Sequence, residues 1–110
     1  MSKASELTNQ ILDHLYRNNC FSWRATSTGL YDDKLQRFRM ASKKGVSDIL
    51  AVLPPSGRIL AIEVKIGADR LRPEQIGFFK NIEHVGGLTF VAKDFISFKA
   101  WFDGLIHSLS

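Results

Sequence analysis

Residues Gly45 to Lys65 read GVSDILAVLPPSGRILAIEVK. Two apolar runs meet at a Pro-Pro-Ser-Gly turn, and each carries an acid where a buried strand should carry none. These are Asp48 in the first run and Glu63 in the second, with Lys65 two residues further on. If Pro54 to Gly57 form a four-residue hairpin loop, Leu53 pairs with Arg58 and Val52 with Ile59. Counting back sets Asp48 opposite Glu63. Opposed side chains on one face of an antiparallel pair have Cβ atoms about 4.5–5.5 Å apart, and like charges there repel. Burial makes that repulsion worse. A divalent cation is the natural group to offset it. Side chains alternate along a strand, so Lys65 shares the face of Glu63. Two carboxylates and an ammonium around one point suit metal-assisted attack on a phosphodiester.

The elements that must position these groups follow from the pattern around them. Ile49 to Leu53 and most of Ile59 to Ile66 are apolar at successive positions, which marks strands covered on both faces. Leu7, Ile11, Leu12 and Leu15 predict a helix over about Lys3 to Asn18. Phe21 to Thr26 reads as a strand. Ser27 to Lys44 is polar, basic and loop-like, with a short strand around Phe38 and Met40. Pro73 opens a second helix with Ile76, Phe79, Ile82 and Val85 as its buried face, and Gly86-Gly87 end it. Leu88 to Lys93 is a further strand. From Ser97, read as an N-cap, the residues Phe98, Trp101, Phe102, Leu105, Ile106 and Leu109 form an apolar stripe. A helix between the hairpin and Leu88–Lys93 implies a parallel pair. The expected architecture is α/β, a mixed β-sheet flanked by helices on both faces.

The chain has 110 residues, enough for one domain and too few for two. Its 15 basic and 11 acidic residues give a net charge of +4, which favours an acidic partner such as nucleic acid. No apolar run is long enough to span a membrane, and the N-terminus lacks a signal-peptide pattern. The single cysteine, Cys20, excludes an intrachain disulfide and reads as a small core residue. A cytoplasmic location is therefore expected. His14, His84 and His107 are scattered without ligand spacing.

Gly45-Val-Ser-Asp48 followed by Glu63-Val-Lys65 resembles the PD-(D/E)xK nuclease superfamily, and more narrowly the VRR-NUC family. The narrower resemblance rests on Trp23-Arg24 and Thr28-Gly29 before the hairpin and on Lys44-Gly45-Val46-Ser47-Asp48 entering it. It rests further on Arg70-Leu71-Arg72-Pro73-Glu74-Gln75 opening the helix after ExK, and on Gly86-Gly87 closing it. Ser47 stands where the superfamily has a proline. The resemblance covers about Glu6 to Lys93. It implies a restriction-endonuclease-like three-layer sandwich, with the whole chain, 1–110, as one VRR-NUC-like domain.

The resemblance also implies an Mg²⁺- or Mn²⁺-dependent nuclease in which Asp48, Glu63 and the backbone carbonyl of Val64 bind the metal. Hard cations take such oxygens, and the ion would lower the pKa of the attacking water. Lys65 would orient that water and balance charge on the phosphoryl oxygens. Glu6, on the first helix, and Gln75, in the first turn after Pro73, match further catalytic positions of the family. Lys43, Lys44, Arg70 and Arg72 are the expected phosphate contacts, since the chain sets them near the strand ends. Stand-alone members resemble phage proteins that act as homodimers on branched DNA such as four-way junctions. The function implied is an endodeoxyribonuclease acting as a homodimer on branched DNA, with no small-molecule cofactor. The alternatives are a catalytic subunit of a larger repair or restriction assembly, and a non-cleaving DNA-binding module of the same fold.

Overall fold

A computed structural model describes residues 1–25, 30–32, 37–39 and 45–109. The hairpin closes as its loop length predicts: β4 (Ile49–Leu53) pairs antiparallel with β5 (Arg58–Val64), in the register Leu53↔Arg58, Val52↔Ile59 and on to Ile49↔Ile62. Gly57 makes the turn possible, since its φ of +81° lies in the region that side chains disfavour. β1 (Phe21–Arg24) flanks β4, and β6 (Leu88–Ala92) lies parallel to β5 on the other side. The sheet order is thus β1-β4-β5-β6, with the two acid-bearing strands at its centre. β2 (Leu30–Asp32) and β3 (Arg37–Arg39) form a separate antiparallel ribbon. The strand expected around Phe38 is β3, whereas β2 falls in the stretch expected to be loop-like, because three residues carry too little pattern to register. Met40 and the Thr28-Gly29 pair lie outside the described residues.

Three helices cover the sheet: α1 (Lys3–Arg17), α2 (Pro73–His84) and α3 (Phe95–Leu109). The register sorts the strand residues into two faces. Ile49, Ala51, Leu53, Leu60, Ile62, Val64 and Ala92 point to one face, where they pack with Leu7, Ile11 and Leu15 of α1 and Phe98 and Phe102 of α3. Cys20 belongs to this core, as its sequence context predicts. His14 joins the two helices: its Nε2 lies 2.7 Å from Asp103 Oδ1, and its ring meets Phe95, Phe98 and Phe102 edge-on. The opposite face carries Ala61 and Glu63 beneath α2. Among the described residues, no helix is long and apolar enough to cross a membrane.

Two helical details differ from the pattern-based expectation. The buried residues of α2 are Gln75 and Phe79, with Ile82 half-buried, whereas Ile76 is 41% and Val85 75% exposed. The inward stripe therefore runs i, i+4, i+7 from a polar residue, which a purely hydrophobic period cannot register. Likewise α3 begins at Phe95, not after Ser97. Asp94 is its cap, accepting hydrogen bonds from the Ser97 amide at 2.8 Å and the Ser97 hydroxyl at 2.6 Å. These bonds hold the Asp94 carboxyl below the usual carboxylate range.

The position of Phe98 at the junction of α1, α3 and the sheet makes it the stricter test of this core. Phe98→Ala is expected to cost about 3–5 kcal/mol in urea unfolding. Ile96→Ala on the same helix, at an 81% exposed position, should stay within about 0.5 kcal/mol of the unsubstituted protein.

Candidate active site

The β4–β5 ladder ends at Ile49↔Ile62, one step before Asp48 and Glu63. The acids therefore face each other across its open end. Backbone bonds hold Asp48 there: the Ala25 amide donates to its carbonyl at 2.8 Å. Its side chain is held as well, because Oδ2 accepts from the Val64 amide at 2.8 Å. That bond crosses from one strand to the other, so the Asp48 carboxylate takes the place of a backbone acceptor at the end of the ladder. Glu63 is only 2% exposed, although it belongs to a residue type seldom fully buried without a partner.

The partner of Glu63 comes from α2. Gln75 Nε2 donates to Glu63 Oε1 at 3.0 Å, while Gln75 Oε1 accepts from the Arg72 amide at 2.8 Å. The amide is thus engaged at both ends, and one side chain caps the helix and orients the acid. The guanidinium of Arg72 has no acceptor to offer in return, so the reciprocal half of a capping box is missing. Gly45 brings the same helix turn against the loop before β4. Its φ is +79°, and a Cβ there would overlap the backbone carbonyl of Glu74. A glycine three residues before Asp48 therefore lets the start of α2 approach the carboxylates.

Glu63 Oε2 is buried and accepts no hydrogen bond. Burial, then the hydrogen bond and charge of neighbouring Asp48, push the Glu63 carboxyl up to about 8, against the opposing pull of Lys65 and Arg72. An ion of positive charge placed between the carboxylates would serve both acids at once. The donor set is all oxygen, which suits a hard divalent cation rather than zinc. Among the described residues no group of three or more His, Cys, Asp or Glu gathers to hold a metal. A cation here would therefore rest on Asp48, Glu63 and backbone carbonyl oxygen, completed by water.

A family model for the VRR-NUC domain matches residues 3–94. The chain belongs to the VRR-NUC family. The VRR-NUC domain is a nuclease-type, DNA-processing fold, and its nucleases are in general divalent-metal dependent. A solved structure of a VRR-NUC domain superposes with a TM-score of 0.70 at 17% identity, covering 94% of this chain and 97% of that one. At that identity the likeness speaks for the fold. No curated protein matches the chain.

The VRR-NUC fold brings together Asp48, Glu63 and Gln75, with the charges of Lys65 and Arg72 close enough to act on Glu63. Lys65 is half-buried, and its amide donates to the Ala92 carbonyl at 2.9 Å, which ties the residue to β6. Glu6 is exposed in the first turn of α1 and does not complete a third acid at the pair. Arg70 and Arg72 are exposed between β5 and α2, and Arg72 Nε lies 3.6 Å from Glu74 Oε1. Lys43 and Lys44 lie outside the described residues. Sequence reasoning missed the structural use of Gly45. The signal available for it was a glycine beside a strand entry.

The raised Glu63 carboxyl makes a stability prediction with a definite sign. Between the ordinary carboxyl value of 4.5 and about 8, the folded state keeps a proton that the unfolded state has lost. Glu63 thus favours folding most below pH 4.5, and its contribution fades as pH rises toward about 8. In EDTA, the melting temperature should fall across this window, and Glu63→Gln should flatten that fall. A Glu63→Gln profile parallel to that of the unsubstituted protein would contradict the assignment.

Proposed function

We propose that the protein is a divalent-metal-dependent endodeoxyribonuclease that hydrolyses phosphodiester bonds, acting as a homodimer on branched DNA such as four-way junctions. The observation that carries the catalytic part is the Asp48–Glu63 pair, with Asp48 half-buried, Glu63 buried and Glu63 Oε2 accepting no hydrogen bond. Such a pair is costly in a folded protein unless a cation or a proton offsets it. Membership of the VRR-NUC family supports the reaction class. The preference for branched DNA and the dimer rest on the resemblance to phage members of the family.

In this reading Asp48, Glu63 and the Val64 carbonyl hold Mg²⁺ or Mn²⁺. When bound, the ion supplies positive charge that lowers the pKa of water and offsets charge on the phosphate. The protein's own groups do the rest. The Val64 amide fixes Asp48, and Gln75 fixes Glu63, so neither carboxylate must reorganise when substrate arrives. Lys65 is a compact point charge on the face of Glu63, suited to holding the attacking water and to balancing charge on the phosphoryl oxygens. Arg70 and Arg72, with Lys43 and Lys44, are assigned to the phosphate backbone of the substrate. Glu6 is assigned a catalytic role on the family resemblance alone.

A labelled panel of single strand, duplex, flap and four-way junction, each with Mg²⁺, Mn²⁺ or EDTA, tests the proposal. The protein should cut with metal and not with EDTA, and Glu63→Ala should be inactive. Asp48→Asn should also lose cleavage while binding DNA as well as before or better, because repulsion toward phosphate falls. Normal cutting by Asp48→Asn would remove the metal site. The phosphate assignment is checked separately by salt titration. Arg70→Ala should reduce the slope of log K against log salt by about 0.9, the value of one duplex phosphate contact.

A further inference from the structure

The face of the sheet that carries Asp48 and Glu63 continues past them onto β1. Phe21 pairs with Val52 and Trp23 with Leu50, so both rings share the face of Leu50, Val52, Ile59 and Ala61. The helix on this face, α2, packs over β5 and β6. Phe21 is left 72% exposed and Trp23 39%. Their rings lie 5.2 Å apart, tilted by 45°. Tyr16, 79% exposed at the end of α1, joins them in walling a cleft of about 600 Å³ where α1 meets β1. Single exposed apolar side chains are ordinary, but three aromatic residues gathered at one strand edge are not.

The place of this aromatic shelf gives it meaning. β1 runs toward the acid pair, since the amide of Ala25, two residues beyond Trp23, donates to the Asp48 carbonyl. At the usual strand rise, Trp23 stands about 7 Å and Phe21 about 13 Å along the strand from that point. Arg70 and Arg72 are exposed before α2, and Arg24 is exposed at the end of β1 on the strand face opposite the rings, on a chain of net charge +4. Exposed rings among basic groups are how proteins hold unpaired nucleotides: every base has a π-face, and the cations follow the backbone. A fully paired duplex keeps its base faces stacked and offers the rings nothing to stack on.

We infer that Phe21 and Trp23 stack on unpaired bases next to the phosphodiester that is cut, so that the enzyme selects nucleic acid with single-stranded or splayed nucleotides at the site. This rests on the nuclease reading above and narrows its substrate class. A second copy of the chain seated on the same face is the competing occupant.

Anisotropy titrations in EDTA, with a labelled oligothymidylate and a fully paired duplex, separate these cases without requiring cleavage. Phe21→Ala should weaken binding of the single strand roughly tenfold, within the range seen when a stacking ring is removed, and change duplex binding less than about twofold. Phe21→Tyr, which keeps the ring, should bind as the unsubstituted protein does. Tryptophan fluorescence should be quenched by the single strand, and Trp23→Phe should abolish most of the quenching with little loss of affinity. Equal affinity of Phe21→Ala and the unsubstituted protein for the single strand would overturn the inference alone. So would equal losses on both probes, or a shift from dimer to monomer on Phe21→Ala with base binding intact. No binding of either probe by the unsubstituted protein would overturn the nuclease reading with it.

Discussion

Two carboxyl groups held together at the open end of a central hairpin set the terms for the rest of this protein. Asp48 and Glu63 meet because a four-residue turn fixes the pairing of β4 with β5, and they stay because each is tied down by a different element. The Val64 amide holds Asp48 from the neighbouring strand, and Gln75 holds Glu63 from a helix packed on the same face. A pair built this way is unfavourable as two bare charges. Burial first, and then the neighbouring Asp48, push Glu63 toward neutrality. Stability elsewhere is what makes the arrangement tolerable. Proteins store such costs at functional sites and offset them in the core.

That core lies on the far side of the sheet. Both α1 and α3 pack there, with Phe98 and Phe102 fully buried and His14 bridging to Asp103. Among the described helices, α2 is the one that packs on the site face. This asymmetry separates the two tasks: one face supplies packing energy, and the other keeps room for a substrate. The close approach of Gly45 to Glu74 matters in the same way, because it seats the first turn of α2 beside the acids without a side chain between them.

Much of this was legible in the residues. Alternation and turn length were enough to pair Asp48 with Glu63, since register within a hairpin is a local property. The apolar runs marked β4 and β5 as central, and the Pro73 opening and Gly86-Gly87 close bounded α2. What failed did so for a shared reason. Gln75 points inward because its amide has two partners, so the apolar period through Ile76 and Val85 was out of phase with the true buried stripe. Ser97 looked like a cap, yet Asp94 took the role because a carboxylate accepts two bonds from the first turn. In both cases polar side chains decided the geometry, and hydropathy does not see them.

By itself, then, the sequence determined the acid pair, the ExK lysine beside it, the register that joins them and the succession of most elements. These depend on neighbours a few residues apart, for which backbone alternation and turn geometry leave few choices. Only the tertiary structure decided which helix covers which face, that Gly45 admits α2 to the site, and that Phe21 and Trp23 share the open face of the carboxylates. Those outcomes depend on β1 choosing β4 as its partner and on helices docking from distant parts of the chain. Packing energies set such choices, and they are summed over many residues at once, so no short stretch of sequence contains them.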